Sequence, residues 1–152
     1  MASNTTFVSG AILTAQQQNN FPFGVQGYVK RTAGSVSVTT TMTDITGVTV
    51  SFTAITGRAY KVTANFTATK NTAIGTMTLQ ITDGTPTVLY EFPLEMTAIS
   101  SGYLPCISVV VTGLSAGSQT LKLRASVSIN TGTIFATAAN PLSFIVEDIG
   151  IA

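Results

Sequence analysis

Apolar and polar residues alternate strictly from Tyr60 to Thr69. The apolar positions are Tyr60, Val62, Ala64, Phe66 and Ala68, and the polar positions are Lys61, Thr63, Asn65, Thr67 and Thr69. Successive side chains of a strand point to opposite faces, so this pattern predicts a half-buried antiparallel strand. The same alternation recurs in segments 48–53, 77–82 and 121–129. A helical period of 3.6 cannot produce it, and the chain is predicted to be all-β.

Turn residues divide the chain into about ten short predicted strands. They are segments 25–30, 35–40, 47–54, 59–69, 76–82, 87–92, 103–112, 119–129, 133–137 and 142–147. Asp83-Gly84, Ser101-Gly102 and Thr131-Gly132 are typical of the turns between them. Many short strands without a long helical pattern predict an antiparallel β-sandwich or a barrel. Two-sided polarity without aromatic girdles favours the sandwich over an outer-membrane barrel.

The first 24 residues have a different pattern and form a predicted N-terminal arm, followed by a sandwich domain over residues 25–152. Thr14 and Gln17 have the spacing of a capping box, and Phe21-Pro22 ends any helix by Asn20. A helix of one or two turns is too short to be stable alone. We therefore expect the arm to dock on its own sandwich or on a neighbouring molecule. Neither a signal peptide nor a transmembrane helix is predicted.

The composition limits the chemistry available to this chain. It has 152 residues, 7 Lys+Arg, 6 Asp+Glu, a net charge of +1 and no His. The weak charge predicts no nucleic-acid partner and no anionic membrane partner. Without His, the Ser-His-Asp, Cys-His and His-zinc sites are excluded. The single Cys106 lies in an apolar run and is predicted to be buried and inert rather than reactive or interchain.

No motif predicts an enzyme, a metal site or a cofactor. Gly113-Leu114-Ser115-Ala116-Gly117 matches G-x-S-x-G, but that motif needs a strand-to-helix turn and a His base, so a turn between strands is predicted. Glu91 and Glu95 flank Pro93 in a predicted loop, and Glu147-Asp148 ends the last strand, where consecutive residues point to opposite faces. We therefore expect no catalytic carboxylate pair.

Three tyrosines fall off the predicted core positions. They are Tyr28, Tyr90 and Tyr103. Exposed aromatic side chains can stack on sugars, but packing at a sheet edge or a subunit interface is the simpler interpretation.

Four segments carry a family resemblance. Gly10 to Asn20 resembles the "LTA-x-x-x-N" opening of many small tailed-bacteriophage virion proteins, and Val50 to Val62, Gly113 to Leu123 and Phe144 to Gly150 look like the same family. The ending Val146-Glu147-Asp148-Ile149-Gly150 is the most specific of them. The resemblance implies a minor tail protein or another particle-surface component. It also implies a jelly-roll sandwich similar to the trimeric complement C1q and tumour-necrosis-factor type.

This resemblance leads to a set of functional expectations. The protein is expected to be a non-enzymatic virion structural protein, made in the bacterial host cytoplasm and placed on the particle surface. Its partners would be copies of itself, as a homotrimer, and other virion proteins such as the major capsid or tail proteins. The predicted attachment residues are Ile12, Leu13, Phe21 and Phe23. The predicted subunit-interface residues are Tyr103, Ile107, Val109 and Val111, although burial of that strand within one monomer fits equally well.

Two questions stay open at the level of sequence. The lack of a shaft or large anchoring domain favours capsid decoration or a cement role, whereas the resemblance favours the tail. A different class of function, a carbohydrate- or receptor-binding adhesin that contacts the host surface, predicts aromatic and amide side chains in one distal groove.

Overall fold

The computed structural model describes Gln18 and residues 20–152, which contain eleven strands. The strands are β1 Gly24–Arg31, β2 Ser35–Val38, β3 Thr43–Ala54, β4 Arg58–Asn65, β5 Thr67–Lys70, β6 Gly75–Thr82, β7 Val88–Met96, β8 Cys106–Val111, β9 Gly117–Val127, β10 Gly132–Phe135 and β11 Leu142–Ile151. All of their pairings are antiparallel, which confirms the predicted all-β sandwich. The short helix predicted after Thr14 falls largely outside the described residues.

Each predicted strand has a counterpart, and one of them is divided. The predicted strand 59–69 is interrupted at Phe66, which separates β4 from β5. β4 pairs with β8 and β11, whereas β5 pairs with β10, so the chain passes from one sheet to another at this residue. The side chain of Phe66 is only 2% exposed and fills the core at the bend. The apolar alternation therefore continues through the bend although the hydrogen bonding does not.

Three sheets form two layers. Their strand orders are β1-β11-β4-β8, β2-β10-β5 and β3-β9-β6-β7. The second sheet continues the first, because β1 precedes β2, β10 precedes β11 and β4 precedes β5, in the same lateral order. Tyr103 extends β8 in the same way through a bridge with Ala68. One layer therefore consists of four bent strands, and β3-β9-β6-β7 forms the other.

The connectivity is that of a jelly roll. Eleven strands minus the three continuations leave eight. Numbered along the chain, these eight follow the order 1-8-3-6 in the bent layer and 2-7-4-5 in the flat layer. Such an arrangement of two interlocked Greek keys defines the jelly roll. The predicted jelly-roll-like sandwich is confirmed.

The core lies between the two layers. Val62, Phe144 and Val146 from the bent layer meet Leu79, Leu121 and Leu123 from the flat layer, and each of these side chains is at most 1% exposed. These residues are at the apolar positions of the alternating pattern, which the sequence predicted to face the core. Burial of the apolar faces is the main stabilising contribution, at about 25 cal/mol per Å² of apolar surface.

The sandwich is closed along one side, where β1 lies against β3. Arg31 Nη1 on β1 donates a hydrogen bond to the Thr46 carbonyl on β3 at 2.7 Å. Gly27 lies so near β3 that a Cβ there would be 2.7 Å from Val50 Cγ1. The two layers are therefore in direct contact at this side.

The predicted loop around Pro93 is wrong, because Glu91, Pro93 and Glu95 all lie within β7. β7 is an edge strand that pairs only with β6, and an edge strand tolerates a proline because one of its sides makes no ladder hydrogen bonds.

Among the described residues, no helix has the length and apolar character that a membrane span needs.

Candidate attachment site

A buried ion pair between Arg58 and Asp148 lies where the N-terminal segment joins the sandwich. Arg58 begins β4, and Asp148 lies near the end of the neighbouring strand β11. Their side chains are 5% and 1% exposed. Arg58 Nε donates to Asp148 Oδ2, and Arg58 Nη2 donates to Asp148 Oδ1 at 2.6 Å. Two parallel hydrogen bonds of this kind fix the plane of the guanidinium as well as its position.

The ion pair holds residues 21–23 against the sandwich. Arg58 Nη2 donates to the Phe21 carbonyl at 2.5 Å, and the Phe23 amide donates to Asp148 Oδ1 at 3.4 Å. The guanidinium carbon of Arg58 lies 4.0 Å from the centroid of the Phe23 ring, which is a cation–π contact. The root of the N-terminal arm is thus attached to its own sandwich. We call this end of the molecule, formed by residues 20–24, 55–58 and 148–151, the arm end.

Gly150 allows the arm to pass over β11. Its backbone has φ +112, and its amide donates to Asp148 Oδ1 at 2.9 Å. A Cβ at this position would lie 3.3 Å from the Asn20 carbonyl oxygen and 3.9 Å from Pro22 Cγ. Only glycine adopts this conformation without strain and leaves the space that residues 20–22 occupy.

A tight turn places Arg58 at the arm end. The Arg58 amide donates to the Ile55 carbonyl at 3.3 Å, and Gly57 has φ +78. The Ile55 amide donates to the hydroxyl of the buried Tyr60 at 2.8 Å. The amide of Ala152 donates to the Gly57 carbonyl at 2.9 Å, which ties the turn to the end of β11.

A cleft of about 410 Å³ with polar and apolar walls lies at the arm end. The cleft is lined by Asn20, Phe23, Ile55, Thr56, Gly57, Arg58 and Ile151. Phe21, Phe23, Ile55 and Ile151 are between 40% and 50% exposed. These four residues are called the arm-end patch below. Half-exposed apolar side chains gathered at one end of a molecule indicate a contact surface.

The electrostatics of the ion pair favour the charged carboxylate. Burial alone would raise the pKa of Asp148, but hydrogen bonds from Arg58, Gly150 and Phe23 outweigh burial and hold this pKa below its ordinary value. The pair is therefore ionised at neutral pH, and the arm root is held by a charge-assisted contact.

Of the four predicted attachment residues, Phe21 and Phe23 lie at the arm end, and Ile12 and Leu13 lie outside the described residues. The two phenylalanines contact Arg58 with their backbone or ring while nearly half of each side chain stays exposed.

The predicted subunit-interface residues do not form one outward surface. Ile107, Val109 and Val111 alternate inward on β8 and lie in the core of the single chain, between 4% and 9% exposed. Tyr103 is half-buried against the core, and its hydroxyl accepts a hydrogen bond from the Ala98 amide at 2.8 Å. Burial within one monomer, the alternative interpretation of this strand, is therefore confirmed for Ile107, Val109 and Val111. The other three positions of β8 point outward.

Those outward positions are Cys106, Ser108 and Val110, all exposed. The prediction of a buried Cys106 is therefore wrong. The largely apolar segment 107–111 does not show from sequence which side chains face the core. Val110 is apolar, but it points outward and is 59% exposed. In the same outer face of the bent layer, Val25, Glu147 and Lys61 continue the row of Val110 across the sheet.

In the described residues, polar side chains cover the middle of the flat layer's outer face. The charged side chains among them are paired. Asp44 accepts from Lys122 Nζ at 2.9 Å and lies 2.9 Å from Arg124 Nε. Gln80 donates to Glu91 at 2.6 Å, Thr76 donates to Glu95 at 2.7 Å, and the hydroxyls of Ser51 and Thr120 are 2.9 Å apart. The two outer faces therefore differ in character. On the outer face of the bent layer, Tyr28 and Val110 are 68% and 59% exposed, whereas the exposed apolar side chains of the flat layer, Val88 and Tyr90, lie on its edge strand β7.

The sequence reasoning missed Arg58 and Asp148, although a signal for them exists. Arg58 shares the strand phase of Tyr60 and Val62, and Asp148 shares that of Phe144 and Val146. Two opposite charges on core-facing positions of predicted strands indicate a buried pair, because an unpaired buried charge is too costly. The two residues also lie in two of the segments that carry the family resemblance.

Two further sites considered from the sequence can be checked in the part of the chain described here. Gly113–Gly117 lies between β8 and the start of β9, so the G-x-S-x-G match is a connection between strands, as predicted. Within Gln18 and residues 20–152, no group of three or more His, Cys, Asp or Glu could hold a metal ion.

Comparison with known proteins gives similarity of fold. No family model matches the chain, and no curated protein matches it. Similar solved structures include latent PorU from Porphyromonas gingivalis (14% identity, 83% of this chain, 13% of that chain, TM-score 0.49). They also include the VP2 subviral particle of infectious bursal disease virus (9%, 82%, 37%, TM-score 0.38). A third is the tailspike protein 4 enzymatically active domain of bacteriophage CBA120 (12%, 80%, 19%, TM-score 0.34).

These similar structures thus include viral capsid and phage tailspike domains. The chain spans less than two fifths of the length of each matched chain named above. At such identities and scores, the likeness is one of β-sandwich architecture alone.

Proposed function

We propose that this protein is a non-enzymatic structural component of a bacteriophage virion. It acts as a homotrimer on the particle surface, as a capsid decoration or cement protein or as a minor tail protein. Residues 1–24 attach it, and the sandwich faces outward. The sequence segments that resemble small virion proteins support this proposal, and two of them meet at the Arg58–Asp148 pair.

The observation that carries the proposal is the construction of the arm end. The ion pair fixes residues 21–23 and thereby sets the direction in which the arm leaves the sandwich. The arm-end patch surrounds this exit with half-exposed apolar side chains. A fixed exit beside an apolar surface suits attachment, because little conformational entropy is lost there on binding. By contrast, the outer face of the flat layer is polar, and its charged side chains are paired.

In a cement role, attachment stabilises the assembled lattice by mass action. A subunit that binds only the intact joint between capsomers favours the assembled state by its binding free energy. A stable joint of this kind buries more than about 1,000 Å² in total, so the arm and the arm-end patch would have to be buried together.

The proposal is tested first by location. Immunogold electron microscopy of the parent particle, with an antibody against residues 25–152, should label the particle. Gold over the head supports decoration, and gold on the tail supports the minor-tail role. Particles that stay unlabelled while the antibody recognises the purified protein would overturn the proposal.

A rebinding assay tests the attachment surface. Particles that lack the protein are incubated with wild-type chain or with the double variant Phe23→Ser/Ile151→Ser, and bound protein is quantified. We expect binding of the double variant to fall at least tenfold. The control is Ile74→Ser, which removes a 59% exposed apolar side chain from the turn before β6, at the other end of the sandwich. Thermal unfolding shows that each variant is folded, and equal binding by all three proteins would exclude this surface.

A second candidate function is a carbohydrate-binding adhesin. One observation favours it: a cleft of about 320 Å³ lies where the bent layer turns at Phe66. Asn65, Asn140 and Ser143 supply hydrogen-bonding groups, and Leu104, Pro105 and Pro141 supply apolar walls. Amide and hydroxyl groups beside apolar walls can bind a sugar ring, although Phe66, the aromatic residue here, is buried.

Glycan binding separates the two candidates. The isolated protein is tested for saturation-transfer NMR signals against host surface polysaccharide, with an Asn65→Ala/Asn140→Ala double variant as the matched control. Transfer that is lost in the double variant supports the adhesin. Absence of transfer, together with rebinding through the arm-end patch, supports attachment alone.

A further inference from the structure

The free edge of β8 differs from the other long sheet edges of the described chain. In the two four-stranded sheets the edge strands are β1, β3, β7 and β8. Exposed edges can pair with strands of other molecules, so proteins protect them with charges, prolines, bulges or covering segments. An edge without such protection is therefore a candidate for contact with another chain.

Three of these edges are protected. β1 and β3 lie against each other on the closed side of the sandwich, where Arg31 donates a hydrogen bond to the Thr46 carbonyl. β7 contains Pro93 and two exposed glutamates, Glu91 and Glu95. A proline and like charges on an edge oppose pairing with a second copy of that edge.

β8 has none of these devices. Its residues, Cys106–Val111, include no charge and no proline, and its pairing with β4 has no register shift. Among the described strands, none pairs with the other side of β8. At about 3.4 Å per residue, this free edge offers roughly 20 Å of backbone. It can accept one more antiparallel strand.

The register shows which backbone groups of β8 are free. Tyr103, which extends β8, exchanges two amide-to-carbonyl hydrogen bonds with Ala68, at 2.8 and 2.9 Å. In an antiparallel pair, such hydrogen-bonded positions alternate with positions whose amide and carbonyl groups point to the other side. The register continues unchanged along β8, so its odd-numbered residues bond to β4. The amides and carbonyls of Cys106, Ser108 and Val110 therefore point to the free edge.

This edge is complementary to a second copy of itself. A two-fold axis through Ser108, perpendicular to the sheet, places Ser108 opposite its own copy and Cys106 opposite Val110 of the second copy. All free amides and carbonyls of the two strands then pair with each other. Any other position of the axis along β8 leaves at least one of these residues without a partner on the second β8. The three side chains are uncharged, so the axis brings no like charges together.

The side of the sandwich next to this edge leaves apolar surface uncovered. β7 and β8 lie together at this side, opposite β1 and β3. Phe92 and Leu94 of β7 lie beside the fully buried Leu79 and Met77 and pack against the core, but they are only partly buried. Leu104, just before β8, is 65% exposed. A second copy at this side would cover apolar surface as well as backbone, which a specific interface of more than about 1,000 Å² needs.

We propose that the β8 edges of two copies pair antiparallel around a two-fold axis at Ser108, so that their bent layers form one continuous sheet. The contact goes beyond the proposed homotrimer, because a two-fold contact uses the same surface on both molecules and is a separate interface. Main-chain hydrogen bonds supply the affinity, as in other cases of strand addition. On a particle surface, this contact would connect neighbouring trimers to one another.

Disulfide crosslinking of the full-length chain tests this register. The variant Cys106→Ser/Ser108→Cys has its thiol on the axis, where opposite hydrogen-bonded residues have Cα atoms about 5.5 Å apart, within disulfide distance. The matched control, Cys106→Ser/Thr63→Cys, has its thiol one strand away in the same row of the bent layer. After mild oxidation, we expect covalent dimers of the Ser108→Cys protein to form at least tenfold faster than those of the control.

The wild-type protein provides a further check on the register. Its Cys106 faces Val110 of the second copy and lies about four residues from the other Cys106, roughly 14 Å along the strand at 3.4 Å per residue. We therefore expect wild-type dimers to form no faster than those of the Thr63→Cys control. Fast wild-type dimers would overturn the proposed register, and equal rates for the Ser108→Cys protein and the control would exclude pairing at this edge.

Charge at the axis gives a second test. Ser108→Lys brings two ammonium groups together at the two-fold axis, whereas Thr63→Lys adds the same charge one strand away. Sedimentation equilibrium measures the concentration at which copies associate through this edge. We expect Ser108→Lys to raise this concentration at least tenfold and Thr63→Lys to change it less than twofold. Thermal unfolding shows that each variant is folded, and equal association of both lysine variants would overturn the proposal.

The two tests also separate this contact from the proposed homotrimer. A trimer formed through other surfaces persists in Ser108→Lys, so its persistence together with the Ser108→Cys crosslink supports both proposals. A trimer without the crosslink refutes only the β8 contact. The crosslink without a trimer refutes only the homotrimer.

Discussion

Arg58 and Asp148 lie 90 positions apart in the chain and form a buried, two-point ion pair between β4 and β11. The pair also holds Phe21 and Phe23, so one contact connects the first described residues, the middle of the chain and its last strand. This arrangement couples the stability of the sandwich to the placement of the arm.

Asp148→Ala should lower the free energy of unfolding by about 3–5 kcal/mol, because it leaves the Arg58 guanidinium buried without its carboxylate. The matched control is Glu147→Ala at the neighbouring position. The Glu147 carboxylate lies 3.5 Å from Lys61 Nζ in a pair that is 35% to 44% exposed, and such a pair contributes at most about 1 kcal/mol. Urea denaturation measures both variants. Equal losses in the free energy of unfolding would show that the buried ion pair stabilises the protein no more than the exposed one.

The stability should fall in acid, and part of the fall should belong to Asp148. Its folded-state pKa is below the ordinary value of 3.8, because hydrogen bonds from Arg58, Gly150 and Phe23 outweigh its burial. The stabilisation is therefore fully present above pH 3.8 and is lost as the pH falls through the folded-state pKa. Asp44 and Asp83 also have lowered pKa values and contribute in the same direction. Denaturation at pH 2 to 6 should show a shallower acid slope for Asp148→Asn than for wild type, and identical slopes would contradict this assignment.

Lys70 should give a pH dependence of the same sign, but at the alkaline end. Its side chain is buried and its Nζ donates to the Ile129 carbonyl. Burial lowers the pKa of Lys70 below 10.5, so the unfolded chain binds this proton more tightly and the free energy of unfolding rises as the pH increases toward 10.5. Lys70→Met should abolish this increment, whereas Lys61→Met, on the exposed face, should keep it. The measurement is urea denaturation between pH 7 and 10, and a wild-type increment that survives in Lys70→Met would disprove the interpretation.

Gly27→Ala should destabilise the protein by about 1–3 kcal/mol through overpacking, because the new methyl would meet Val50 Cγ1 at 2.7 Å. Gly84→Ala is the control, since its Cβ would have an ordinary contact of 3.5 Å with Thr120 Cβ. The double variant Gly27→Ala/Val50→Ala should remove the clash and then show only the loss from the missing Val50 methyl groups. Thermal unfolding distinguishes the three, and a neutral Gly27→Ala would mean that β1 can move away from β3.

The Cys106 thiol should react with a thiol reagent in the native protein, at nearly the rate found in denaturant, because it is exposed on β8. In a Cys106→Ser background, Ile107→Cys places a thiol one residue along at a position 4% exposed. That thiol should react at least tenfold more slowly until the protein unfolds. Equal native rates would contradict the inward and outward alternation of β8.

Most of the fold could be predicted from the alternation of apolar and polar residues. The segments around Val62, Leu79 and Leu121 have one apolar face, so their strands and their core-facing positions follow from the sequence. β8 and β7 were harder to assign. Val109, Val110 and Val111 are apolar on both faces, which hides the strand phase, and Pro93 indicates a loop unless the strand is known to lie at an edge.

The candidate site was only partly predictable. Phe21 and Phe23 follow from their position at the arm and their apolar character. Arg58 and Asp148 are 90 positions apart, and the alternation of apolar and polar residues does not by itself predict that they pair. The pair can be predicted only by noticing that both charges lie at core-facing positions and must compensate each other. The arm end is formed by residues from three distant parts of the chain, so its cleft is a property of the topology rather than of any local motif.

The paired charges on the outer face of the flat layer affect how the protein behaves in different media. Salt weakens interactions between separated exposed charges, and at 0.1 M the screening length is about 10 Å. Asp44 is paired at 2.9 Å with both Lys122 and Arg124, so this cluster keeps a charge of +1, and the whole chain also carries a net charge of only +1. Long-range electrostatic attraction or repulsion between copies of this protein is therefore weak at any ionic strength. With so little net charge, electrostatic repulsion cannot keep copies of the protein apart, so the hydration of uncharged polar side chains has to do so in fresh water and in brine alike.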